Sequence, residues 1–222
     1  MRMSALSDRS GIAVPTIKFY LREGLLAPGE RTSPNQASYD DSHVERLRLV
    51  RALIDVGGLS VAATSAVLTA IDSPEIPLNH AFETAQKALP GVLPEADDAA
   101  PGPGAAAVEA QLADRGWFVT GGNPGHPVAA RVLDTYERLG LDNLHSVLPA
   151  YFDAAEIIAR ADLDAVAAAS DRAQMVETVV VGTVLGDSLL AGLRRIAQER
   201  ESHVRFGTPP EPDTRCETGA RS

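Results

Sequence analysis

Cysteine is all but missing from this 222-residue chain: Cys216 stands alone, in a polar stretch near the C-terminal end. A single thiol excludes a disulfide within the chain and any thiolate-rich metal site. Lysine is nearly as scarce, 2 residues against 18 arginines, which with the abundant alanine reflects a GC-rich genome and not a function. Long apolar runs are missing too. The longest uncharged one near the C-terminal end lies between Glu177 and Asp187, far too short to span a bilayer. The opening Met-Arg-Met-Ser-Ala-Leu-Ser-Asp has no apolar signal core, so no membrane association is expected and a cytoplasmic location follows. A nucleophile elbow, a phosphate loop, a zinc-protease motif and a dinucleotide fingerprint are all lacking. The chain therefore does not read as an enzyme, and no cofactor is implied.

What is present is an ordinary globular composition, 45% apolar, long enough for one large domain or two small ones. The formal charge of −10 argues against nucleic acid until it is located. Residues 1–72 hold eight Lys/Arg and eight Asp/Glu and are neutral; the whole acidic excess lies in residues 73–222. Phosphate contacts are local, and screening acts over about 8 Å at physiological salt. A neutral first third can thus bind DNA through clustered cations while the acidic remainder is repelled from it.

The most informative segment is 16–39. Its first half reads as a short basic helix with Ile17 and Leu21 four apart, stopped at Gly24. Pro28, Gly29 and Pro34 then break any helix and punctuate a hairpin-like loop carrying Arg31 and Tyr39. A basic helix followed at once by such a loop is the layout of a winged helix-turn-helix DNA reader. Around it, Ser4 is placed to cap a first helix near 5–10 that Gly11 stops, and Pro15 falls in the first turn of the second helix. Asp40 caps a third helix with Leu47, Val50 and Ile54 on one face, ended by Gly57-Gly58. Ser60 caps a fourth, with Val67, Leu68 and Ile71 apolar, reaching Asp72.

The fold expected is mainly α: an N-terminal winged helix-turn-helix domain over 1–72, a short dimerisation helix and a C-terminal all-α helical bundle. Residues 73–89 form a hinge and that short helix, on which Leu78, Phe82, Ala85 and Leu89 follow coiled-coil spacing. Residues 90–104 read as a Pro/Gly/Ala linker and 208–222 as a disordered tail. Between them, 105–207 carries helical segments near 105–115, 127–139, 142–160 and 171–204. In the last of these, Gly182 and Gly186 permit a close helix contact or a kink.

Residues 1–72 resemble the DNA-binding domain of MerR-type transcriptional regulators, the mercury-resistance-type repressor-activators. The matching pieces run in order: Gly-Ile-Ala after the first helix, Thr-Ile-Lys-Phe-Tyr-Leu-Arg-Glu-Gly-Leu-Leu, and Pro-Gly-Glu-Arg. Tyr39 then precedes a helix with Leu-Arg-Leu-Val-Arg-Ala-Leu, and Val-Gly-Gly-Leu-Ser opens the fourth helix. The resemblance implies a homodimer on an inverted-repeat promoter, distorting the DNA so that RNA polymerase engages it. Position by position it puts Lys18 and Tyr20 at the major groove and Arg22 and Arg31 on phosphates, and Tyr39 anchors the wing; Thr16 counts among the DNA-binding residues. Arg48 and Arg51 are divided between phosphate contact and plain helix surface, and Phe19 is the aromatic expected in the core. The chain also departs from the family. Asn35, Gln36 and Ala37 stand where Gly-Tyr-Arg is usual, which removes one phosphate-binding Arg. Ala13 replaces a Ser or Thr cap, a loss of up to about 1 kcal/mol. Leu21 replaces a frequent Glu, and Ala62 and Ala63 replace the usual acids of the fourth helix. The cysteine pairs of metal-sensing and iron–sulfur members are absent, as is a cobalamin-binding motif.

In 105–207, Trp117, Phe118, Tyr136, His145, Tyr151 and Phe152 gather most of the aromatics. They are candidates for an effector pocket that takes a small molecule, with Asp153 or Glu156 to meet a cation, although core filling is the more ordinary use of such residues. His145 lacks a second ligand at helical spacing, so no metal site is expected there. The resulting reading is a promoter-bound regulator that senses an unidentified signal. Its alternative is a ligand-independent regulator whose C-terminal bundle is a dimerisation or protein–protein interaction module.

Overall fold

Helix start and stop residues set the elements in the first third of the computed structural model, which describes residues 1–33, 36–73, 75–90, 102–120 and 122–207. Helix α1 (Met3–Ser10) ends at Gly11, whose φ of 70° is the left-handed stop, and α2 (Val14–Arg22) follows. Ser4 lies inside the first turn of α1 and does not cap it; Arg2 holds the capping place with no side-chain bond. Strands β1 (Glu30–Ser33) and β2 (Gln36–Ser38) pair antiparallel as the wing, whose tip at Pro34 and Asn35 lies outside the described residues. Helix α3 (Asp41–Arg51) starts on a capping box: Asp40 accepts the His43 N–H at 3.3 Å, and His43 Nδ1 accepts the Asp40 N–H at 3.2 Å. Hydrogen bonds from Ser42 and then His43 hold the Asp40 carboxyl below the usual carboxylate range. The helix runs on into a π turn (Ala52–Val56) that ends at Gly57-Gly58, and α4 (Val61–Ile71) is capped by Ser60, which accepts the Ala63 N–H at 3.1 Å. The wider turn makes Leu53 the fully buried residue there, with Ile54 packed half-buried beside it.

Beyond this come α5 (Leu78–Ala88), α6 (Pro103–Arg115), α7 (Gly125–Arg138), a 3-10 turn (Asp142–Val147), α8 (Leu148–Ala167) and α9 (Arg172–Phe206). The 142–160 helix expected from sequence is thus a 3-10 turn followed by a longer helix. Leu6, Ile17, Leu47, Val50, Leu53 and Val67 centre one apolar cluster, and it draws in Val180 and Val184 from the first half of α9. Gly57 makes that approach: a Cβ there would lie 2.4 Å from Val184 Cγ1 and 2.7 Å from the Leu53 carbonyl oxygen. The face of α5 that reads as a dimer seam is engaged within the chain. Ala81 is buried with Val166 of α8 and Val176 and Val179 of α9, while Leu78 and Phe82 pack at the edge.

Helices α6 and α7 pack along Val108, Leu112 and Leu133. The end of the expected linker is in fact helix, because Pro103 takes the first position of α6 and the Gly104 N–H donates to Asp134 Oδ1 of α7 at 2.7 Å. A Cβ at Gly104 would sit 2.2 Å from the Ala130 carbonyl oxygen, so glycine is required at this crossing. Residues 91–101 of the linker and the tail from 208 lie outside the described residues.

The chain divides into two compact units within α9, and Asp187 begins the second. In that second unit Leu189, Leu193, Ile196 and Val204 are exposed. The helix runs unbroken through Gly182 and Gly186. Neither supports a close contact among the described residues, because nothing lies within 4 Å of a Cβ built at either. As one element Arg172–Phe206 is long and apolar enough to cross a membrane by length and composition, which the uncharged run alone is not. Its Val176, Val179, Val180 and Val184 are instead buried inside the fold. We expect Gly57→Ala to cost about 1–3 kcal/mol in denaturant unfolding. Val184→Ala in the same chain should recover part of that loss, giving a non-zero coupling in a double-mutant cycle.

Candidate nucleic-acid interface

Helix α2 buries Ile17 and Tyr20, three apart on its inward face, and so turns Lys18 outward. Arg31 is exposed on β1. A concavity of about 640 Å³ collects Lys18, Arg31, Ser33, Gln36, Ala37 and Tyr39, together with Arg2, Met3, Ser4 and Val14. Three residues expected at the site are therefore brought together: Lys18, Arg31 and Tyr39. Arg2 is the cation that the sequence reading missed. Neither Arg2 nor Lys18 nor Arg31 has an ion-pair partner among the described residues. The Tyr39 ring is only 7% exposed, lies edge-on to His43 with centroids 5.2 Å apart, and covers Gly29, where a Cβ would come within 2.8 Å of the ring. Tyr39 thus fixes the base of the wing while also lining the groove.

Tyr20 does not stand at the surface as expected. It is 6% exposed and belongs to the core, while its neighbour Phe19 is half-buried at the edge. The reason is register: with Ile17 inward, the next inward position three residues on is Tyr20, and its carbonyl also accepts the Leu25 and Leu26 N–H groups that close the helix. Burial, with the negative charge of Asp55, pushes the Tyr20 hydroxyl pKa up against the opposing pull of Arg51. Phe19 carries the Arg22 guanidinium 5.2 Å above its ring, and Arg22 also lies 3.3 Å from Glu23. Thr16 is half-buried on the same helix. Arg51 is paired with Asp55 at 2.7 Å, whereas Arg48 is exposed with no partner among the described residues. Ala13 holds the capping place of α2, and no side chain substitutes for the missing hydroxyl there.

Arg46 is a cation of another kind. It donates to the Leu25 carbonyl at 3.2 Å and to both carboxylate oxygens of Asp72 at 2.9 and 2.5 Å, tying α3 to the loop after α2 and to the end of α4. Among the C-terminal aromatics, Trp117 and Phe152 pair at 5.5 Å and Tyr136 and His145 at 6.5 Å. Trp117, Tyr136 and Phe152 pack on the Val108–Leu112–Leu133 cluster. Arg115 lies 5.2 Å over the Phe152 ring and donates to Asp153 at 2.6 Å, and His145 Nε2 is 3.2 Å from the Leu133 carbonyl oxygen. Phe118, 92% exposed, and Tyr151, about half exposed, turn away from that group.

Comparison with known proteins gives a match to the family described as MerR HTH family regulatory protein over residues 1–71. An HTH-type transcriptional regulator, ZntR homolog, of Haemophilus influenzae is 38% identical over 50 residues, 22% of this chain and 37% of that protein. The HTH-type transcriptional regulator MerD of Acinetobacter calcoaceticus is 32% identical over 71 residues, 32% of this chain and 58% of that one. The match thus spans less than two thirds of each of these curated relatives. A solved structure extends the likeness to the full length: the "putative transcriptional regulator SCO5550" of Streptomyces coelicolor is 35% identical. That match covers 95% of this chain and 100% of that one, with a TM-score of 0.64.

A buried aromatic of α2 and an exposed cation of α3 separate cleanly in a stability experiment. Tyr20→Ala should cost about 3–5 kcal/mol in denaturant unfolding, as truncation of a buried aromatic does. Arg48→Ala, at an exposed and unpaired site, should stay within about 0.5 kcal/mol of the parent chain.

Proposed function

Because this chain belongs to the MerR family of helix-turn-helix transcription regulators, we propose that it acts as a homodimer that grips an inverted-repeat promoter element and distorts it, controlling access of RNA polymerase. One observation carries the reading: Lys18, Arg31 and Tyr39 line one groove on the charge-neutral third of an otherwise acidic chain. In this account Arg22 and Arg31 neutralise phosphates, and Lys18 with Thr16 faces the bases. Tyr39 sets the wing that carries Arg31, and Arg48 adds a phosphate contact from α3. Fixed phosphate contacts set the register in which base edges are read. Bending the spacer costs several kcal/mol, of order 1–6 by elastic estimates, and the contacts the bend permits offset it. In this account Tyr20 supports α2 from the core and makes no DNA contact of its own, since it is buried and does not line the groove.

A signal would reach the reader through α9. Val184 rests on Gly57 at the end of the π turn, so a shift of α9 alters the seat of α3. A coupling of about 1–3 kcal/mol is the usual size of such an effect. A second reading, in which the C-terminal helices serve assembly and take no ligand, is favoured by two features. Trp117 and Phe152 are spent on packing with Arg115, and Leu189, Leu193 and Ile196 form an exposed apolar row. The single tryptophan makes this testable. Small molecules that bind beside Trp117 should change its emission and raise the melting point of the full chain, whereas the assembly reading expects neither for any compound class tried.

Selection of duplexes from a random pool by the full chain should enrich two inverted half-sites, and no enrichment would sink the proposal. On the selected duplex, Lys18→Ala should weaken binding, and Arg31→Ala should also flatten the salt dependence by about one phosphate contact per protomer. Tyr20→Phe should bind as the parent does. Sedimentation should give a dimer on DNA; a monomer would overturn that part of the mechanism.

A further inference from the structure

The groove holds a cation that neither the pattern of α2 nor that of the wing accounts for. Arg2 precedes α1, is exposed, and has no ion-pair partner among the described residues. Its backbone is held from both sides. The Met1 carbonyl accepts the Tyr39 N–H at 2.8 Å, which lays this segment against the wing, and the Arg2 carbonyl accepts the Leu6 N–H at 2.9 Å, which starts the helix. Arg2 is therefore anchored between Tyr39 and α1, on the same groove as Lys18 of α2 and Arg31 of β1. Three cations from three separate parts of the fold meet there, and among the described residues no acidic side chain lines the groove. The setting adds to them. Met3 and Ser4 from the first turn of α1, and Val14 from the first turn of α2, line the same concavity. Both helix starts lack a side-chain cap and carry no acidic residue in their first turn. Uncapped helix starts carry partial positive charge and free N–H donors.

We propose that Arg2 is a further phosphate-contacting cation of the DNA interface. It would hold a backbone phosphate in the groove between the start of α1 and the wing, in the place of the wing Arg that is missing at Ala37. The inference rests on the DNA-binding reading above. A phosphate clamp is sequence-blind, so Arg2 contributes grip and register and leaves base preference alone. A guanidinium reaches a phosphate with two parallel donors, while a lysine keeps the charge and loses that fork.

The test uses the full chain and the duplex selected by the parent protein, with affinity measured by fluorescence anisotropy across a salt series. Arg2→Ala should lower affinity at low salt and reduce the slope of log K against log salt by about one per protomer. The loss should be equal on the selected duplex and on a mixed-sequence one, and Arg2→Lys should restore the slope with only part of the affinity. Thermal melting separates these effects from a folding defect, and Arg2→Gln repeats the neutralisation with a side chain closer in length to arginine. If both neutral variants keep the parent slope while Lys18→Ala loses affinity, Arg2 has no phosphate contact and the inference is wrong with the DNA-binding reading intact. If the parent chain selects no duplex, that reading itself has failed.

Discussion

Burial of Val180 and Val184 is the contact on which the rest of the molecule depends. Both are fully buried, and they close an apolar core whose other buried members, Ala85 apart, all lie before residue 71. A unit of about 70 residues removes too little surface from water to be more than marginally stable alone. Each buried valine contributes about 1.5 kcal/mol or more, against a typical total of about 5–15 for a whole domain. The reader and the first half of α9 are in this sense one folding unit. Gly57 is the condition for it, since any side chain there would overlap Val184.

Arginine does two jobs in this lysine-poor chain, and its partners tell them apart. Arg9 with Asp41, Arg46 with Asp72 and Arg115 with Asp153 join one element to another. Their charge is spent inside the molecule. Arg2, Arg31 and Arg48 have no such partner among the described residues, and Lys18 stands with them. The formal charge of −10 hides this division, because summing over a chain erases where free positive charge is concentrated. The proposed interface follows from which cations are left unpaired locally.

Much of the reader was legible because its signals are local. Gly11, Asp40, Gly57-Gly58 and Ser60 each stop or start the element that the sequence assigns them. The misreadings have tertiary causes. Phe19 and Tyr20 are adjacent aromatics, and the choice between them turns on one residue of helix phase, which Ile17 and Leu21 together leave open. Gly102-Pro103-Gly104 looks like linker because its composition breaks helices, yet Asp134, thirty residues on, caps a helix there. The seam on α5 holds as a pattern, and the spacing could not show that α8 and α9 of the same chain pack against Ala81 on that face. Arg2 was invisible because its position depends on the pairing of Met1 with Tyr39 across the domain. Among the six C-terminal aromatics, the spacing could not tell Trp117 and Phe152, which pack, from Phe118, which does not.

The contact of Gly57 with Val184 also orders events in time. A ribosome adding about 5–20 residues per second delivers Val184 on the order of ten seconds after Gly57. Through that interval the nascent reader lacks the two valines that close its core. Closing a loop of that length costs little more than closing one half as long, since the entropy grows only with the logarithm of length. The reader's core is thus sealed late in synthesis, only after most of the chain has been made.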